Sequence, residues 1–306
     1  MKTYSLLLLM SACLSAAFGQ TDTTKPAPVK TDTSLHAPVK ADTSMQISGK
    51  TDTSSMHAAK TDTVICTSIA NNGKVWAAIY QQRAAEYKAL CFQAYNLARL
   101  RVDEKWTHYH MKPYAIVTDI DETLFDNSPY NAKRALNNLD YDAATWKQWT
   151  VRGACDTVPG APSFLKYAAS KGIEIFYITN RAEDERAGTL QNLKLYGLPN
   201  ADDTHLLLKK NTSSKEARRQ DVLKSHIIIL LCGDNLGDFD ALYDGAPSEE
   251  ERKATTQKLM TQFGSRYIVI PNPGYDDWEK ALYNYPVTIG NAEKDSIIKA
   301  KVKVAD

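Results

Sequence analysis

The chain has 306 residues, and its charged side chains nearly cancel to a formal net charge of +1 at pH 7. A balance so close to neutral gives no general attraction to a nucleic-acid polymer or to an anionic membrane surface, so we expect neither as a partner. The hydrophobic fraction of 43% is enough to bury a core, and the length predicts one large domain or two small ones once the ends are removed.

The first 19 residues have the pattern of a secretory signal peptide. Lys2 supplies the positive charge, residues 6–10 form a short apolar core, and Ala17-Phe18-Gly19 is a small-x-small cleavage site. A lipoprotein signal that ends before Cys13 is the second interpretation, because Met10 matches the usual leucine poorly. Both predict an exported protein, periplasmic or at the cell surface, and the second would add a lipid anchor to the outer membrane.

Residues 20–71 are predicted to be a disordered linker built on a ten-residue repeat. The units TDTTKPAPVK, TDTSLHAPVK, ADTSMQISGK and TDTSSMHAAK fill residues 21–60, and they are rich in Thr, Ser, Lys and Pro. This composition lacks the apolar side chains that a core requires. A spacer that holds a domain off a membrane and a solvated tail without a specific role both remain open.

A long amphipathic helix is predicted from about residue 72 onward. Apolar side chains recur there at intervals of three and four residues, which is the spacing of one helix face. They are Trp76, Ile79, Tyr80, Tyr87, Leu90, Ala94 and Leu97.

Apolar strand-like runs then alternate with helical patterns. The predicted strands cover residues 114–119, 173–179, 204–208, 227–234 and 267–272, and the helical patterns cover 161–171, 183–196, 214–224 and 249–262. Continuous apolar character is typical of strands that are buried on both faces. Strand alternating with helix predicts an α/β fold with a parallel sheet, which we place in a domain at residues 72–290, followed by a C-terminal tail at 291–306.

Polar side chains recur where these strands end. Asp119-Ile120-Asp121 follows the first strand, Thr179-Asn180-Arg181 follows the second, and Asp234 ends the fourth, with Asp238 four residues later. Because ligands bind outside the carboxyl ends of parallel strands, we expect one crevice to collect these groups together with Lys215. An EF-hand is excluded, since the loop glycine and the closing glutamate are missing.

Carboxylates in this arrangement favour phosphoryl transfer. Mg²⁺ takes oxygen ligands and bridges carboxylates to a phosphate, and a carboxylate is a competent nucleophile toward phosphorus. A second carboxyl two residues on can protonate the leaving alcohol and then deprotonate water. We therefore expect Asp119 to be the nucleophile and a metal ligand, Asp121 to be the acid and base, and Asp234 to bind the metal.

The remaining groups of the crevice complete this hypothesis. Thr179, Asn180 and Lys215 are expected to hold the phosphate oxygens. Asp238 is expected either behind the metal ligands or on Lys215.

Four stretches in this order resemble the motifs of the haloacid dehalogenase (HAD) superfamily: DIDET, ITNR, the lysine of SSKEA, and GDNLGDFD. DIDETLFDNSPY together with GDNLGDF is more closely similar to the class C bacterial acid phosphatases, over roughly residues 72–285. The resemblance implies a Rossmann-like core with a small helical cap, at about residues 128–160, and a Mg²⁺-dependent phosphomonoesterase. It also implies that the backbone carbonyl of Asp121 binds the metal.

The same resemblance implies a substrate class. Similar members often hydrolyse 5′-nucleotides and hold the base between aromatic rings, and the matching positions here are Trp146 and Tyr275. Simple packing of the cap is the alternative for both rings. A catalytically silent storage or binding protein, and transfer of phosphate to an acceptor alcohol, remain alternatives to hydrolysis, and a homodimer is left open.

Other residues allow more than one interpretation. Cys66, Cys91 and Cys155 allow a disulfide, whereas Cys232 lies in an apolar run that favours a buried free thiol. Arg181 is expected either on the phosphate or in a salt bridge with a nearby acid. Five further residues are expected to have supporting roles. We expect His108 and His110 to be surface or packing residues, Asn127 and Tyr130 to shape the site entrance, and Glu122 only to cap or orient the turn.

Overall fold

The computed structural model describes residues 68–106, 111–286 and 288–305. The predicted signal peptide, the decapeptide repeats, Cys66, His108 and His110 lie outside these residues. No helix of the described ranges is both long and apolar enough to cross a bilayer.

The core contains a five-stranded sheet made of the five predicted strands. Its order is β5-β4-β1-β6-β7 and every neighbouring pair is parallel, whereas β2 and β3 form a separate antiparallel pair. The α/β prediction is therefore confirmed. The strands are β1 (Tyr114–Thr118), β2 (Phe125–Asp126), β3 (Asp156–Thr157), β4 (Glu174–Ile178), β5 (Leu206–Leu207), β6 (Ile227–Gly233) and β7 (Tyr267–Val269).

Helices cover the sheet on both faces, and two of them lie in the segment expected to be a cap. The helices are α1 (Ile69–Arg83), α2 (Ala85–Lys105), α3 (Ser128–Leu136), α4 (Ala143–Thr150), α5 (Ala161–Ser170), α6 (Arg186–Leu195), α7 (Glu216–Ser225), α8 (Glu249–Lys258), α9 (Asp277–Leu282) and α10 (Asn291–Lys301). The cap segment at 128–160 contains α3 and α4.

The continuous apolar strands are explained by burial on both sides. In β1, Ile116 joins an apolar cluster that includes residues of α2 and α5, while Ala115 and Val117 join a second cluster that includes Val222 of α7. Successive side chains of a strand point to opposite faces, so a strand covered twice needs apolar residues at every position.

The predicted long helix is two helices. Ala84 separates α1 from α2 with an extended backbone, at φ −77° and ψ 125°. Trp76, Ile79 and Leu90 are exposed, and Trp76 keeps 71% of its surface accessible. The buried faces are formed instead by small or neighbouring side chains, such as Ala77 and Ala78 in α1.

Residues 291–306 do not form a simple tail, because α10 packs against α1 and the cap segment. Lys294, which is buried, pairs with Asp140 at 2.5 Å. Asp295 accepts a hydrogen bond from the backbone of Ala70 at 3.2 Å, and Asn291 donates to Asn138 at 3.2 Å. The C-terminal helix therefore fixes both the start of the domain and the loop between α3 and α4.

The three described cysteines carry free thiols. Cys91, Cys155 and Cys232 are buried and unpaired, as expected for Cys232. A disulfide among these three is therefore ruled out.

Candidate active site

The loops that follow β1, β4 and β6 open into one cavity of about 410 Å³. With the exception of Thr179, every side chain predicted for the site lines this cavity. These residues are Asp119, Asp121, Trp146, Asn180, Lys215, Asp234, Asp238 and Tyr275. The carboxyl edge of the parallel sheet thus collects groups that lie far apart in the chain.

Lys215 lies between two carboxylates at the centre of the site. Its ammonium group donates to Asp119 and pairs with Asp238 at 2.6 Å. Burial lowers the pKa of Lys215, but the charges of Asp119 and Asp238 outweigh burial and raise the pKa above its ordinary value, so the ammonium stays charged. Of the two expectations for Asp238, the contact with Lys215 is the one found.

Gly233 allows Asp238 to approach this closely. A Cβ atom at Gly233 would lie 2.3 Å from Oδ2 of Asp238, which no side chain permits. The glycine that ends β6 is therefore a steric requirement of the site.

Three buried carboxylates crowd together next to Lys215. One carboxylate oxygen from each of Asp119, Asp234 and Asp238 lies within 4.8 Å of the others. Burial raises the pKa of Asp119 to about 7 and raises those of Asp234 and Asp238 as well. A bound divalent cation would offset this cost, and hard oxygen donors suit Mg²⁺.

Asp234 is oriented by neutral donors. The hydroxyl of Thr123 donates to its Oδ1 at 2.9 Å, and the side-chain amide of Asn272 donates to its Oδ2 at 2.9 Å. These bonds fix the carboxylate while leaving lone pairs for a cation. Neither partner was expected from the sequence, because the contacts join segments that are over 30 residues away in the chain.

Asp121 is held by Arg181 in a two-pronged ion pair. Nη2 of Arg181 donates to Oδ1 of Asp121 at 2.7 Å, and Nε donates to both carboxylate oxygens at 3.1 Å. The side chain of Arg181 is fully buried, and Asn127 donates to Asp121 at 2.9 Å from the other side. Of the two roles considered for Arg181, the salt bridge is the one found.

Glu122 connects the loop that follows β1 to Tyr275. Its buried carboxyl group accepts hydrogen bonds from the hydroxyl of Tyr275 and from the backbone of Asn127 at 3.1 Å. The backbone of Glu122 has a φ of 54°, a left-handed conformation that costs energy in a non-glycine residue. Burial raises the pKa of Glu122 well above its ordinary value. The residue therefore does more than support the turn.

The two expected clamp rings lie on the cavity wall but do not contact each other. Trp146 packs edge-on against Tyr130, with ring centroids 5.1 Å apart and planes at 82°. Tyr141, which was not expected at the site, lies 6.0 Å from Trp146 and also lines the cavity.

The groups that follow β4 are engaged with the protein itself. The hydroxyl of Thr179 is buried and accepts from the backbone of Arg181 at 3.2 Å. The side-chain oxygen of Asn180 accepts from Arg218 at 2.8 Å, and Arg218 also donates to the carbonyl of Thr179 at 2.6 Å. Arg218 was not expected here, although its position one turn into α7 after Lys215 is a signal that helical periodicity offers.

Asp276 is a further acid of the site that sequence reasoning missed. It lines the cavity, and the amide of Asn235 donates to it at 2.9 Å and to Asp277 at 2.8 Å. Burial raises the pKa of Asp276 to about 6, and its φ of 110° is a strained conformation. The one available signal was its position directly after Tyr275.

Comparison with known proteins shows which family and which solved structures this chain is similar to. The family model described as "HAD superfamily, subfamily IIIB (acid phosphatase)" matches residues 35–278. The structure of the class C acid phosphatase from Bacillus anthracis is 38% identical with a TM-score of 0.73, covering 78% of this chain and 99% of that one. A crystal structure of the class C enzyme from the same organism with tungstate bound gives the same TM-score at 36% identity and the same coverage.

A plant relative is more distant. Acid phosphatase 1 of Solanum lycopersicum is 25% identical over 132 residues, which are 40% of this chain and 51% of the tomato protein. The match therefore spans about half the length of that relative.

Proposed function

Since this chain belongs to subfamily IIIB of the HAD superfamily, the acid phosphatases, we propose that it hydrolyses small phosphomonoesters with the help of Mg²⁺. One observation carries the proposal: the Lys215 ammonium lies between Asp119 and Asp238, beside Asp234. A carboxylate nucleophile attacks a phosphate dianion only where positive charge offsets the repulsion between them. Lys215 supplies part of that charge, and a cation on the acids would supply the rest.

In the first step Asp119 attacks phosphorus, and the bond from phosphorus to the ester oxygen breaks. This step starts from the protonated form of Asp121, which gives its proton to the departing alcohol. An aspartyl-phosphate on Asp119 and an ionised Asp121 remain. In the second step Asp121 takes a proton from water, the water oxygen bonds to phosphorus, and the acyl-phosphate bond breaks. Inorganic phosphate leaves, and Asp119 is free again.

Arg181 and Asn127 keep Asp121 pointed into the cavity for both proton transfers. Lys215 neutralises the developing charge on the phosphate oxygens, and we propose that the side chain of Asn180, which lines the cavity, adds a hydrogen bond to them. Because the oxygen of Asn180 is engaged by Arg218, its donor would be the amide nitrogen. The phosphate contact expected for Thr179 stays a prediction, since its buried hydroxyl does not line the cavity.

The carboxylates of Asp119 and Asp234 and the backbone carbonyl of Asp121 would hold Mg²⁺. When bound, the ion would polarise the phosphate and lower the cost of the buried acids. The crowding of Asp119, Asp234 and Asp238 within 4.8 Å supports this assignment.

We further propose 5′-nucleotides as substrates and export as the destination. Trp146 and Tyr275 line the same cavity as the acids, and flat rings stack on a base without reading its identity. Export rests on the signal pattern of residues 1–19. The mass of the mature N-terminus would separate cleavage after Gly19 from lipidation at Cys13.

The substitution Asp119→Asn tests the mechanism. It removes the nucleophile, so we expect loss of p-nitrophenyl phosphate turnover by about 10³-fold or more, with an unchanged circular dichroism spectrum. Asp221→Asn is the matched control, because Asp221 is exposed on α7 and pairs only with Lys224. Wild-type turnover by the Asp119→Asn enzyme would refute the assignment, and turnover that survives EDTA would refute the metal requirement.

A further inference from the structure

The cavity extends from the acids along the wall formed by α3 and the loop that follows it. That wall contributes Asn131, Arg134, Leu139 and Tyr141 to the lining. A phosphate ester occupies the acidic end with its phosphoryl group, so the rest of the substrate must lie along this wall.

Most cations of the cavity have a carboxylate partner. Lys74 pairs with Glu279 at 3.0 Å, and Lys280 pairs with Asp277 at 2.9 Å. Lys215 and Arg181 are paired with Asp119 and Asp121, as described above. At these four positions the protein neutralises the positive charge that lines the cavity.

Arg134 is an exception. Its Nε donates to the backbone carbonyl of Asp140 at 2.6 Å, which positions the guanidinium without a direct ion pair. Hydrogen bonds from Thr145 lower the pKa of Asp142 and the charge of Arg134 helps to lower it, but the side chains of Arg134 and Asp142 form no salt bridge. Among the described residues, no carboxylate lies within 4.0 Å of Arg134. Lys209, which follows β5, also lines the cavity, and no carboxylate in the described part of the chain forms a salt bridge with it.

The acids nearest to Arg134 in the chain are already engaged. The carboxylate of Asp140 is taken by Lys294 of α10 at 2.5 Å. The carboxylate of Asp142 accepts from the backbone of Thr145 at 2.9 Å and caps α4. A neutral backbone carbonyl thus holds Arg134 in place, while the carboxylates of Asp140 and Asp142 bond to other groups.

Asn131 adds an independent observation. It precedes Arg134 by one helical turn on α3 and therefore shares its face. Its Nδ2 is buried and has no acceptor in the described part of the chain. A buried donor without an acceptor is costly, and a ligand oxygen would remove that cost.

We propose that this wall is a subsite for a second anionic group, so that the preferred substrates are phosphomonoesters that also carry a carboxylate or another phosphate. Arg134 pairs with that group, Asn131 donates to it, and Lys209 adds attraction at the mouth of the cavity. A guanidinium suits both anions because it presents two parallel donors to a pair of oxygens. The inference rests on the proposed phosphatase function. It extends the substrate class proposed above, because it predicts that esters with a second anion, nucleotides included, are preferred over esters without one.

The test compares three esters that have almost the same leaving alcohol. They are benzyl phosphate, 4-carboxybenzyl phosphate and 4-(phosphonomethyl)benzyl phosphate, whose phosphonate cannot be hydrolysed. For each, kcat/KM is measured with the wild type, with Arg134→Gln and with Lys133→Gln. Lys133 is the matched control, because it is the neighbouring exposed cation of α3 and does not line the cavity.

We expect the wild type to prefer at least one anionic ester over benzyl phosphate by about tenfold or more, the factor that one charge-assisted contact supplies. The two anionic esters decide between carboxylate and phosphate. Arg134→Gln should bring the ratio close to one, Arg134→Lys should restore part of it, and Lys133→Gln should keep it. A wild-type ratio of one, or a ratio that Arg134→Gln leaves unchanged, overturns the subsite.

Failure of the phosphatase function would look different, because the wild type would then hydrolyse none of the three esters. Calorimetric binding of benzylphosphonate and 4-carboxybenzylphosphonate tests the subsite in that case. Tighter binding of the carboxylated ligand, lost in Arg134→Gln, supports it, and equal binding overturns it.

Discussion

At the scale of single residues, the orientation of Asp121 depends on Arg181. The guanidinium is buried, and its two-pronged contact fixes the orientation of the Asp121 carboxylate. Among the described residues no hydrogen bond or ion pair joins Arg181 to Asp119 or to Lys215, so we infer that it acts through Asp121 as a positioning residue.

Replacing Arg181 by Gln should therefore weaken acid catalysis selectively. We expect kcat/KM to fall about 100-fold for phenyl phosphate but only a few-fold for 2,4-dinitrophenyl phosphate, whose alcohol leaves without a proton. A series of aryl phosphates measures the dependence on leaving-group pKa. Arg186→Gln is the control, since Arg186 pairs at the surface with Glu183 and Asp203. An equal loss across the series would show that Arg181 only stabilises the fold.

The sequence predicted which residues meet at the site better than it predicted their partners. Asp119, Asp121, Asp234 and Lys215 follow strand ends or open a helix, and topology alone brings such positions together. The choice of Arg181 between phosphate and carboxylate depends on where a buried guanidinium finds its counter-ion. That choice is made by tertiary packing, which local spacing does not encode.

At the scale of elements, the end of the sheet opposite the active site carries a polar cluster. Glu174 begins β4, and its Oε2 lies 3.1 Å from His205 and 3.2 Å from His226. Nδ1 of His205 lies 2.8 Å from Asp202. The cluster ties β4 to the segments that enter β5 and β6.

These contacts shift the pKa values of His205 and Glu174 in opposite directions. Burial lowers the pKa of His205, but its bonds to Asp202 and Glu174 outweigh burial and raise the pKa above 6.5. The hydrogen bond from His205 lowers the pKa of Glu174 below 4.5. The contribution of His205 to stability is therefore complete below pH 6.5 and is lost as pH rises through its raised pKa. The contribution of Glu174 is complete above pH 4.5 and is lost as pH falls through its lowered pKa.

His205→Gln should thus destabilise the protein most between about pH 4.5 and 6.5. Because both carboxylates are partly exposed, we expect about 1 kcal/mol there, or roughly 2–4 °C in Tm, shrinking by pH 8. Melting curves of both proteins from pH 4.5 to 8 measure the difference. Lys224→Gln serves as the control, since that exposed lysine pairs only with Asp221. A Tm difference that does not vary with pH would contradict the assignment.

The strands were more predictable than the helices. Burial on both faces demands continuous apolar runs, which are visible in the letters of β1 and β6. The break at Ala84 has no glycine or proline to mark it, and α10 was missed because NAEKDSIIKAK buries a lysine, Lys294, rather than an apolar stripe. Both features depend on contacts made after folding.

At the scale of the whole molecule, we expect the acidic cluster to link folding stability to the proposed binding of a divalent cation. Bringing three buried carboxylates within 4.8 Å costs free energy that an unfolded chain does not bear. A ligand that binds the folded state alone stabilises it by RT ln(1 + c/Kd), where c is the free ligand concentration, so above Kd the free energy of unfolding rises with the logarithm of c.

Saturating Mg²⁺ should therefore raise Tm, by roughly 5–10 °C at 100 times its dissociation constant. Differential scanning fluorimetry with and without EDTA measures the shift independently of activity. In Asp234→Asn the shift should be strongly reduced, whereas in Asp221→Asn it should persist. An identical Tm with Mg²⁺ and with EDTA would argue against a metal at this site.

The overall architecture followed from the alternation of strand and helix, but the shape of the cavity did not. Its α3–α4 wall depends on how Tyr130, Trp146 and Tyr141 pack and on the contact between Lys294 and Asp140. These side chains come from an insertion between β2 and β3 and from the last helix. No hydrophobic periodicity in the sequence predicts that these side chains come into contact.

The parallel pairing of β1 with β6 also makes turnover a late event in folding. Asp119 and Asp234 become neighbours only when these distant strands are joined, so a nascent or nicked polypeptide that ends before residue 234 carries the proposed nucleophile without the proposed cation ligand. Helices form locally and early, whereas such non-local pairing is slow. During refolding from urea, the recovery of phosphatase activity should thus lag behind the recovery of the helical circular dichroism signal. The rate at which activity returns would then report when β1 and β6 pair.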